Sequence, residues 1–551
     1  MQYDVCIIGS GAGGGPPAWL LSKAGFRVVV LEKGHWFKTE HFRKDEITCC
    51  RRTVYDPPKK LEPRVLELPE SDGSWSRNIV SFWNAVMVGG SSNIMSGYFH
   101  RMKPVDFKLL STYGEIEGAN VVDWQITYED LEPYYTAIEE LVGISGKVVP
   151  HKWLEPRSTP DFPFPPLKVN EVARWLDNAC QNLGIEIIPA PRAILSVPND
   201  SRGSCYYSNY CGSYGCASDA KGSSRVAFIE PAVENYGLEV RPFSHVYFLE
   251  TRGNRVVKAW YFDRENKKQY VEAKVFIVAT MPVETIRLLL LSKNPDHPKG
   301  LGNDFGMVGK YVIYSAGGYG TGHLYYDDLS PQNADKLKER GTFINRAVQH
   351  FYEIEDPDTG NRIKGGMIEF MFEHDNPIRK ALFQKWDGNR FVYGTELKRR
   401  IFNYFTKRRG IRFEIFVDWL PIEDSYITLD DKVKDFRGFP VARIRAGHHP
   451  HDIKVGKVLA KEAERILKEM GITEIETYIS GYPPPNLVAG GCRMSADPKT
   501  GVTDRFGKVH TLENLFITDA STFPTGGSVQ YTWTIYANSL RIAEFIRDYV
   551  I

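Results

Sequence analysis

The sequence predicts an α/β domain with a parallel sheet, combined with an α+β domain that is built on an antiparallel sheet. Three observations carry this prediction. A strand, a glycine-rich turn, a helix and a second strand follow one another at the N-terminus. Residues 238–263 alternate with the period of two that antiparallel strands show, and a buried strand ending at Asp519 leads through a Pro/Gly turn into a terminal helix. With 551 residues, of which 42% are hydrophobic, the chain is long enough for two or three domains.

The N-terminal segment has the pattern of a dinucleotide-binding unit. "YDVCIIG" predicts a buried strand, and the following "GSGAGGG" contains GxGxxG at Gly9, Gly11 and Gly14. A helix comes next, in which Pro16–Pro17 falls in the tolerated first turn, and a second strand then ends at Glu32. Glycines so placed let backbone amides approach a pyrophosphate, and an acidic residue ~20 positions on accepts from a ribose hydroxyl. The segment therefore predicts dinucleotide binding.

Further elements can be predicted along the chain. The segment "WQITYEDLEPYYTAIEELVGISG" predicts a helix with a capping start at Thr127, and "KVFIVAT" predicts a buried strand that runs into the helix "PVETIRLLLLS". Strand-like stretches dominate between about Gly317 and Ile444, which suits a sheet that carries a substrate cavity. Apolar residues at helical spacing in "HDIKVGKVLAKEAERILKEMG" predict a long amphipathic helix.

Charge and hydropathy exclude several classes of partner. The 69 Lys and Arg residues nearly balance the 68 Asp and Glu residues, and no basic run is long enough to follow a phosphate backbone, so nucleic acid is not expected. The most apolar stretches fall far short of the ~20 residues that span a bilayer, so we expect no membrane span of the chain's own. Met1 leads almost directly into the first strand without a signal peptide. We therefore expect a cytoplasmic protein, unless a signal-bearing partner subunit exports it.

Several ordered segments carry a family resemblance that covers nearly the whole chain. They are "GSGAGGG" with Glu32, "VGGSSNIMSGYFHR", "DWQITYEDLEPYY", "FIVATMPVETIRLLLLS", "GGCRMSADPKTGV" and "NLFITDASTFPTGG". Together they resemble the glucose-methanol-choline (GMC) flavoproteins and are similar to gluconate 2-dehydrogenase-like flavoprotein subunits. The resemblance implies FAD rather than a nicotinamide. It also implies a discontinuous Rossmann-like FAD domain (residues 1–105, 200–316 and 482–551) and a substrate domain on an antiparallel sheet (residues 106–199 and 317–481).

The same resemblance assigns roles to cofactor residues. Gly9, Gly11 and Gly14 would hold the FAD pyrophosphate, and Glu32 would hold the adenosine ribose. The residues expected beside the flavin are Gly89, Gly90 and Ser91. Val246 matches the position whose backbone contacts the adenine, and Asp519 matches the acidic residue of the terminal FAD strand.

The catalytic base that the family uses is missing from its usual position. Alcohol oxidation by FAD requires removal of the hydroxyl proton, usually by a positioned His. The resemblance places that His five residues before the Cys of a "GTCRM"-like motif, and this position holds Leu487, with Asn486 beside it. The second family position, a His or Asn after the terminal Pro/Gly turn, holds Gln530. None of these three side chains can act as a base.

Three explanations stay open at the level of sequence. A one-residue slip in the "AGG" loop would bring Asn486 into the slot, so that Asn486 and Gln530 orient a substrate whose proton leaves by another route. A base could instead come from His100, in the flavin-side segment, or from the "GHHPHD" cluster of His448, His449 and His451. Thirdly, the substrate could need no strong base, or the chain could be an electron-transfer subunit that has lost alcohol oxidation.

Three cysteines are crowded together with C-x5-C-x4-C spacing, at Cys205, Cys211 and Cys216. Three thiolates within twelve residues suit a [3Fe-4S] cluster better than a four-ligand cluster or a structural zinc, and related sugar dehydrogenases place a cysteine cluster at this point. The alternative is a pair of buried free thiols with the third cysteine as a bystander. A one-electron relay of this kind would imply delivery to a cytochrome, a quinone or a partner subunit rather than to oxygen.

The sequence thus predicts an FAD-dependent dehydrogenase that oxidises a CH–OH group of a sugar, sugar acid or polyol and passes electrons to a non-oxygen acceptor. The alternative function is a flavin and iron–sulfur electron-transfer subunit with altered or lost alcohol oxidation. A nicotinamide-dependent Rossmann enzyme is the third hypothesis.

Overall fold

The computed structural model describes residues 2–50, 54–81, 84–315, 317–479, 481 and 487–551. The helices are α1 Gly15–Lys23, α2 Leu109–Tyr113, α3 Tyr128–Val142, α4 Val172–Asn182, α5 Glu230–Tyr236, α6 Pro282–Leu291, α7 Pro331–Lys338, α8 Pro377–Phe383, α9 Gly394–Thr406, α10 Pro450–Glu469 and α11 Thr532–Tyr549. The strands are β1 Tyr3–Ile8, β2 Val28–Leu31, β3 Arg64–Pro69, β4 Trp75–Val80, β5 Ile188–Pro189, β6 Glu239–Arg241, β7 His245–Arg252, β8 Arg255–Phe262, β9 Lys268–Val278, β10 Lys310–Tyr314, β11 Gly318–Tyr325, β12 Arg346–Val348, β13 Glu353–Glu355, β14 Arg362–Lys364, β15 Gly366–Phe372, β16 Trp386–Asp387, β17 Arg390–Phe391, β18 Arg408–Val417, β19 Ser425–Lys434, β20 Pro440–Ala446, β21 Ile475–Tyr478, β22 Val488–Gly491 and β23 Leu515–Ile517.

A parallel sheet with the strand order β6-β2-β1-β9-β23 forms the centre of the α/β domain. Phe276 of β9 lies between Cys6 of β1 and Leu515 of β23, so strands from both ends of the chain flank the same strand. Strands β1, β2 and β23 are almost wholly apolar and buried, as expected for a parallel sheet that is covered on both faces. Helices α1, α5 and α11 pack together beside this sheet. The predicted α/β domain is confirmed.

The predicted antiparallel meander is present and extends the parallel sheet. Strand β7 pairs with β8, and β8 pairs with the first half of β9, whose second half pairs in parallel with β1 and β23. Strand β9 therefore belongs to both arrangements. Its eleven residues are long enough to serve the two in succession.

Two further six-stranded sheets are present, and one of them faces the candidate site. It has the order β21-β11-β18-β15-β12-β5 and is antiparallel, with α10 packed against it. The other has the order β22-β10-β19-β20-β3-β4 and is antiparallel except between β20 and β3. The latter sheet contains strands from both predicted domains, and the residue boundaries of those domains stay a prediction.

The predicted helix boundaries follow from local chemistry. The Thr127 side chain accepts a hydrogen bond from the Asp130 backbone N–H at 3.2 Å, and the Asp130 carboxylate accepts one from Thr127 N–H at 2.9 Å. This capping box starts α3 where the sequence predicts it. The first turn of α1 contains the proline pair, and the long amphipathic helix is α10.

The turn that precedes α11 is held by a buried carboxylate. Asp418, just after β18, accepts hydrogen bonds from the backbone N–H groups of Gly526 and Gly527 at 2.8 and 2.9 Å. Burial raises the pKa of the Asp418 carboxyl to about 6, while nearby Lys364 opposes that rise. The contact ties the terminal segment to the antiparallel sheet and so places Gln530 next to β15.

Candidate active site

One continuous cavity of about 360 Å³ runs from the glycine-rich turn after β1 to the antiparallel sheet. Its first end is formed by residues 8–13 and Glu32. Its second end is formed by β15 and β18 together with Leu487 and Gln530. The cavity lies where parallel strands β1, β9 and β23 end, which is where open α/β sheets bind their ligands.

The glycines of the first turn are required by close backbone approach. A Cβ atom on Gly14 would lie 2.0 Å from the Gly9 carbonyl oxygen, and Gly9 itself has φ of +94°. A Cβ atom on Gly11 would meet nothing closer than Gly90 Cα at 3.9 Å, so Gly11 faces the open cavity. Gly14 thus closes the turn, whereas Gly11 leaves room for a pyrophosphate beside the N-terminus of α1.

Glu32, at the end of β2, connects this turn to the second strand. Its carboxylate accepts hydrogen bonds from Ser10 Oγ at 2.6 Å, Ser10 N–H at 3.1 Å and Gly34 N–H at 2.8 Å. Burial raises the pKa of Glu32, and the Ser10 and Gly34 hydrogen bonds oppose the rise. Ser10 Oγ also accepts from Gly89 N–H at 2.9 Å, which joins the two glycine-rich segments. Glu32 lines the cavity where an adenosine ribose would lie in a Rossmann-like site.

The structure brings most of the predicted cofactor residues to one cavity. Those that line the cavity are Gly9, Gly11, Glu32, Gly90, Ser91, Val246 and Asp519. Gly14 and Gly89 lie behind the wall, where a Cβ atom on Gly89 would be 2.7 Å from Arg225 Cβ. The residues present therefore fit FAD, because the glycine cradle, the ribose acceptor and a buried strand-to-helix junction surround a single cavity.

Asp519 forms that junction at the end of β23. Its carboxylate accepts from Thr285 Oγ1 at 2.5 Å and from Ser521 N–H at 2.9 Å. Burial raises the pKa of Asp519, and the hydrogen bonds from Ser521 and Thr285 oppose that rise. Asp519 thereby joins the terminal segment to α6 at the wall of the cavity.

The other end of the cavity carries a carboxylate that the sequence did not single out. Glu369, in the middle of β15, is 0% exposed and lines the cavity together with Leu487 and Gln530. Gln530 Nε2 donates to Glu369 Oε2 at 2.8 Å, and His100 Nε2 lies 2.8 Å from Glu369 Oε1. Asn486, the remaining predicted residue of this end, lies outside the described residues.

His100 stands behind Glu369 rather than in the cavity wall. Gln349 Nε2 is 3.1 Å from His100 Nδ1, so in this arrangement Gln349 donates to Nδ1, and Nε2–H donates to the carboxylate. Burial raises the pKa of Glu369, and the hydrogen bond from His100 opposes that rise. Glu414, directly across from Glu369 on β18, also lines the cavity and raises the same pKa further.

A weak sequence signal for Glu369 existed. "GMIEFMF" is a wholly buried strand in which Glu369 is the single ionisable residue. A charged side chain at such a position is rare unless it is paired or functional. The sequence alone could not connect it to His100, because the two residues are 269 positions apart.

Within the histidine cluster at the start of α10, His449 caps the helix. His449 Nδ1 accepts from His451 N–H at 3.1 Å, and His449 Nε2 contacts the Glu117 carbonyl at 2.9 Å. Asp452 accepts from His449 N–H at 2.9 Å and completes the cap. None of His448, His449 and His451 lines the cavity as described, so the structure places no base from this cluster there.

The three crowded cysteines lie in one loop and pack around the same small apolar group, which includes Leu195 and Phe343. Burial raises the pKa of the Cys205 thiol to about 12 and also raises that of Cys211. Among the described residues, no group of three or more His, Cys, Asp or Glu side chains lies close enough together to hold a metal ion. The three thiols therefore do not form a ligand set as they stand.

The cysteine loop is nevertheless tied to the cavity wall. The buried Lys221 Nζ donates to the carbonyls of Cys211 and Tyr214, both at 2.9 Å, and to that of Asn93 at 3.2 Å. Asn93 follows closely on the cavity residues Gly90 and Ser91. The loop also contains four of the nine described non-glycine residues with positive φ, at Tyr207, Asn209, Ser213 and Asp219.

Family models of GMC oxidoreductases match this chain over residues 71–310 and 421–539. The chain belongs to the GMC oxidoreductase family. It is therefore an FAD-dependent oxidoreductase that acts on CH–OH donors, and the fold and family predicted from the sequence are confirmed. Among the described residues, no helix combines the length and apolar content needed to cross a bilayer.

Two curated relatives match over almost their full length. 2-Methyl-1,2-propanediol dehydrogenase of Mycolicibacterium austroafricanum is 28% identical, with 99% of this chain and 95% of that protein covered. The large subunit of fructose dehydrogenase of Gluconobacter japonicus is 26% identical, with 99% and 98% covered. The crystal structure of pyridoxine 4-oxidase from Mesorbium loti has the same fold, with a TM-score of 0.64, 16% identity and coverage of 98% of this chain and 99% of that chain.

The two glycines of the turn provide a matched pair of variants. Gly14→Ala forces a Cβ atom against the Gly9 carbonyl, so we expect it to lower the free energy of unfolding by at least ~1–3 kcal/mol. Gly11→Ala has room for its Cβ atom but fills the space beside the pyrophosphate position, so the chain should fold and retain less FAD. Thermal denaturation and the ratio of flavin to protein absorbance measure the two effects. Full FAD content in folded Gly11→Ala protein would contradict this assignment.

Proposed function

We propose that this protein oxidises a CH–OH group of a small diol, sugar or sugar acid, with Glu369 as the group that accepts the hydroxyl proton. The observation that carries the proposal is the Glu369 carboxylate, held between His100 and Gln530 in a cavity that Leu487 also lines. By the family resemblance, Leu487 occupies the position of the usual base. FAD, when bound, supplies the hydride acceptor. The base would then come from the antiparallel sheet instead of the terminal loop.

The environment of Glu369 suits proton transfer. A carboxylate is a weak base at its ordinary pKa, and burial raises the pKa of Glu369 toward the range in which general bases work at neutral pH. Hydrogen bonds from His100 and Gln530 keep the carboxylate oriented. A substrate hydroxyl that donates to Glu369 would therefore meet a desolvated, fixed acceptor.

Gln530 is suited to orient the same substrate. Its Nε2 donates to Glu369, whereas its buried Oε1 has no hydrogen-bond partner among the described residues. A buried acceptor left unpaired is costly, and a second hydroxyl of a diol or sugar would satisfy it. This pair of neighbouring acceptors, one charged and one neutral, supports a polyhydroxylated substrate over a simple alcohol.

The relatives support this substrate class and suggest a partner. One acts on 2-methyl-1,2-propanediol and another is the large subunit of fructose dehydrogenase, so diol and sugar chemistry and a multi-subunit assembly both occur among similar proteins. We propose that the reduced flavin passes its electrons to an acceptor other than oxygen, either a quinone or the cytochrome of a partner subunit. A small subunit could also belong to this assembly. The alternative function is an electron-transfer subunit with impaired alcohol oxidation, which the apolar Leu487 at the base position favours.

Glu369→Gln separates these functions. We expect sugars, aldonic acids or vicinal diols to bleach the flavin absorbance of the wild-type protein under anaerobic conditions. The variant should bleach about 10²–10⁴-fold more slowly because it lacks the base. FAD content should not change, since Gln has the size and shape of Glu and the glycine turn that would hold the pyrophosphate is left intact.

Glu373→Gln is the matched control, because Glu373 follows β15 but lines a different cavity. It should bleach at the wild-type rate. If wild-type flavin is not bleached by any of a broad substrate panel yet is reduced by a partner, the electron-transfer function replaces the proposal. Equal rates for wild type and Glu369→Gln would leave oxidation in place and remove Glu369 as its base.

The His100 hydrogen bond makes a prediction about pH. Glu369 must be deprotonated to act, so kcat/KM falls as pH drops through its pKa, which burial places above the ordinary value of ~4.3. His100 holds that pKa down, so His100→Leu should move the acid limb of the profile to higher pH. His100→Gln keeps a donor near the Nε2 position and should return the limb toward the wild-type pH. A lower rate with an unmoved limb would show that His100 is only structural.

We propose as a second feature that Cys205, Cys211 and Cys216 are the ligands of a [3Fe-4S] cluster. The spacing of the thiols, their packing around one apolar group and the positive-φ residues of the loop support it. The described positions of the thiols do not form a ligand set, so the loop would have to close around the cluster.

Iron and acid-labile sulfide analysis of protein purified without oxygen tests the cluster. We expect about three iron atoms per chain and their loss in Cys211→Ser. Cys180→Ser is the control, because Cys180 is a buried thiol of α4 outside the loop. Protein that contains FAD but no iron would leave three free thiols.

A further inference from the structure

The connection between strands β15 and β18 is much longer than their geometry requires. These strands are antiparallel neighbours, and such a pair can be joined by a two-residue turn. Here the chain instead makes helix α8, the two short strands β16 and β17, and helix α9 before it returns. We refer to residues 377–407 as the basic hairpin.

About two thirds of the residues of the basic hairpin are exposed, and most of the others are half-buried. Val392 is its single buried residue, and neither α8 nor α9 has a buried side chain. The hairpin nevertheless carries seven of the 22 large apolar side chains that are exposed in the described chain: Ile378, Leu382, Phe383, Trp386, Phe391, Tyr393 and Phe402. Tyr393 is 75% exposed and Phe402 is 59% exposed, which is unusual for large aromatic groups on a soluble surface.

Part of this apolar surface is continuous. The rings of Trp386 and Phe391 are 5.3 Å apart, and those of Phe391 and Tyr393 are 6.3 Å apart. Arg379 lies over Phe383 at 5.3 Å, and Lys385 lies over Trp386 at 5.8 Å. Aromatic groups are therefore bordered by cations on the same exposed segment.

The hairpin is strongly basic in a nearly neutral chain. It contains eight Lys and Arg residues and two acidic residues, a net charge of +6, whereas the whole chain has a net charge of +1. The two acidic residues, Asp387 and Glu396, are paired with Arg390, and Asp387 also with Arg400. The basic residues that form no ion pair with any described residue are Arg379, Lys385, Lys398 and Arg399.

We propose that the basic hairpin is a docking surface for an anionic phospholipid bilayer. Projecting aromatic and aliphatic side chains bordered by Lys and Arg are the features with which short amphipathic helices enter the interface of a membrane. The positive charge is complementary to acidic lipid headgroups. A second copy of the chain fits less well, because two hairpins of charge +6 would face each other.

Sedimentation of the full-length flavoprotein with vesicles tests this surface. We expect binding to phosphatidylcholine vesicles that contain about 30% phosphatidylglycerol, weak binding to pure phosphatidylcholine, and release as salt is raised, since exposed charges are screened. Lys398→Glu/Arg399→Glu and Phe383→Ser/Phe391→Ser should each weaken binding at least tenfold, because charge attraction and apolar insertion both contribute. FAD content and thermal denaturation establish that the variants fold.

The controls are exposed residues away from the hairpin. Lys267→Glu/Lys268→Glu matches the charge change, and Phe436→Ser/Tyr549→Ser matches the apolar change at positions that are 50% and 79% exposed. Both should bind vesicles like the wild type. The proposal would be overturned if wild-type protein bound neutral and acidic vesicles equally well, or if the control variants lost as much binding as the hairpin variants. It would also be overturned if only the charge-reversal variant lost binding, because that result would indicate a purely electrostatic contact, such as one with an acidic protein. Lipid-free dimers that Phe383→Ser/Phe391→Ser abolishes would identify a second copy as the occupant.

Discussion

The parallel pairing of β9 with β1 on one side and β23 on the other is the constraint on which the rest of the molecule depends. These strands come from residues 3–8, 268–278 and 515–517, yet their carboxyl ends meet at one edge. The edge collects the glycine turn, the start of α6 and Asp519 around a single cavity. The carboxyl ends of parallel strands open toward helix N-termini, so this edge can offer backbone N–H groups to a phosphate.

A buried carboxylate controls the opposite end of the same cavity. Glu369 is the only ionisable group of a strand whose other residues are all apolar. Hydrogen bonds from His100 and Gln530 take the place of the water that would solvate its carboxylate. Such an arrangement is destabilising by itself, because burial disfavours the charged form. Buried ionisable groups with strongly shifted pKa values cluster at functional sites. This arrangement fits a site in which, by the family resemblance, Leu487 occupies the position of the usual base.

The strand pair β15 and β18 connects the interior with the surface. Its inner face presents Glu369 and Glu414 to the cavity, and the chain that joins the two strands forms the basic hairpin outside. A docked hairpin would therefore hold the sheet that carries the proposed base at a membrane surface. The cysteine loop is also joined to the cavity wall, because Lys221 donates hydrogen bonds to the carbonyl groups of both Cys211 and Asn93.

Local sequence patterns determined the glycine turn with Glu32, the helices α1, α3, α6, α10 and α11, and the antiparallel meander, because each depends on capping, periodicity or glycine geometry within one short segment. The family likeness also followed from ordered motifs along the chain. The sequence could not identify Glu369 as a candidate base or separate His100 from His449, because both results depend on contacts between residues hundreds of positions apart. Only the tertiary structure decided those contacts, since sheet pairing sets which distant side chains share a cavity.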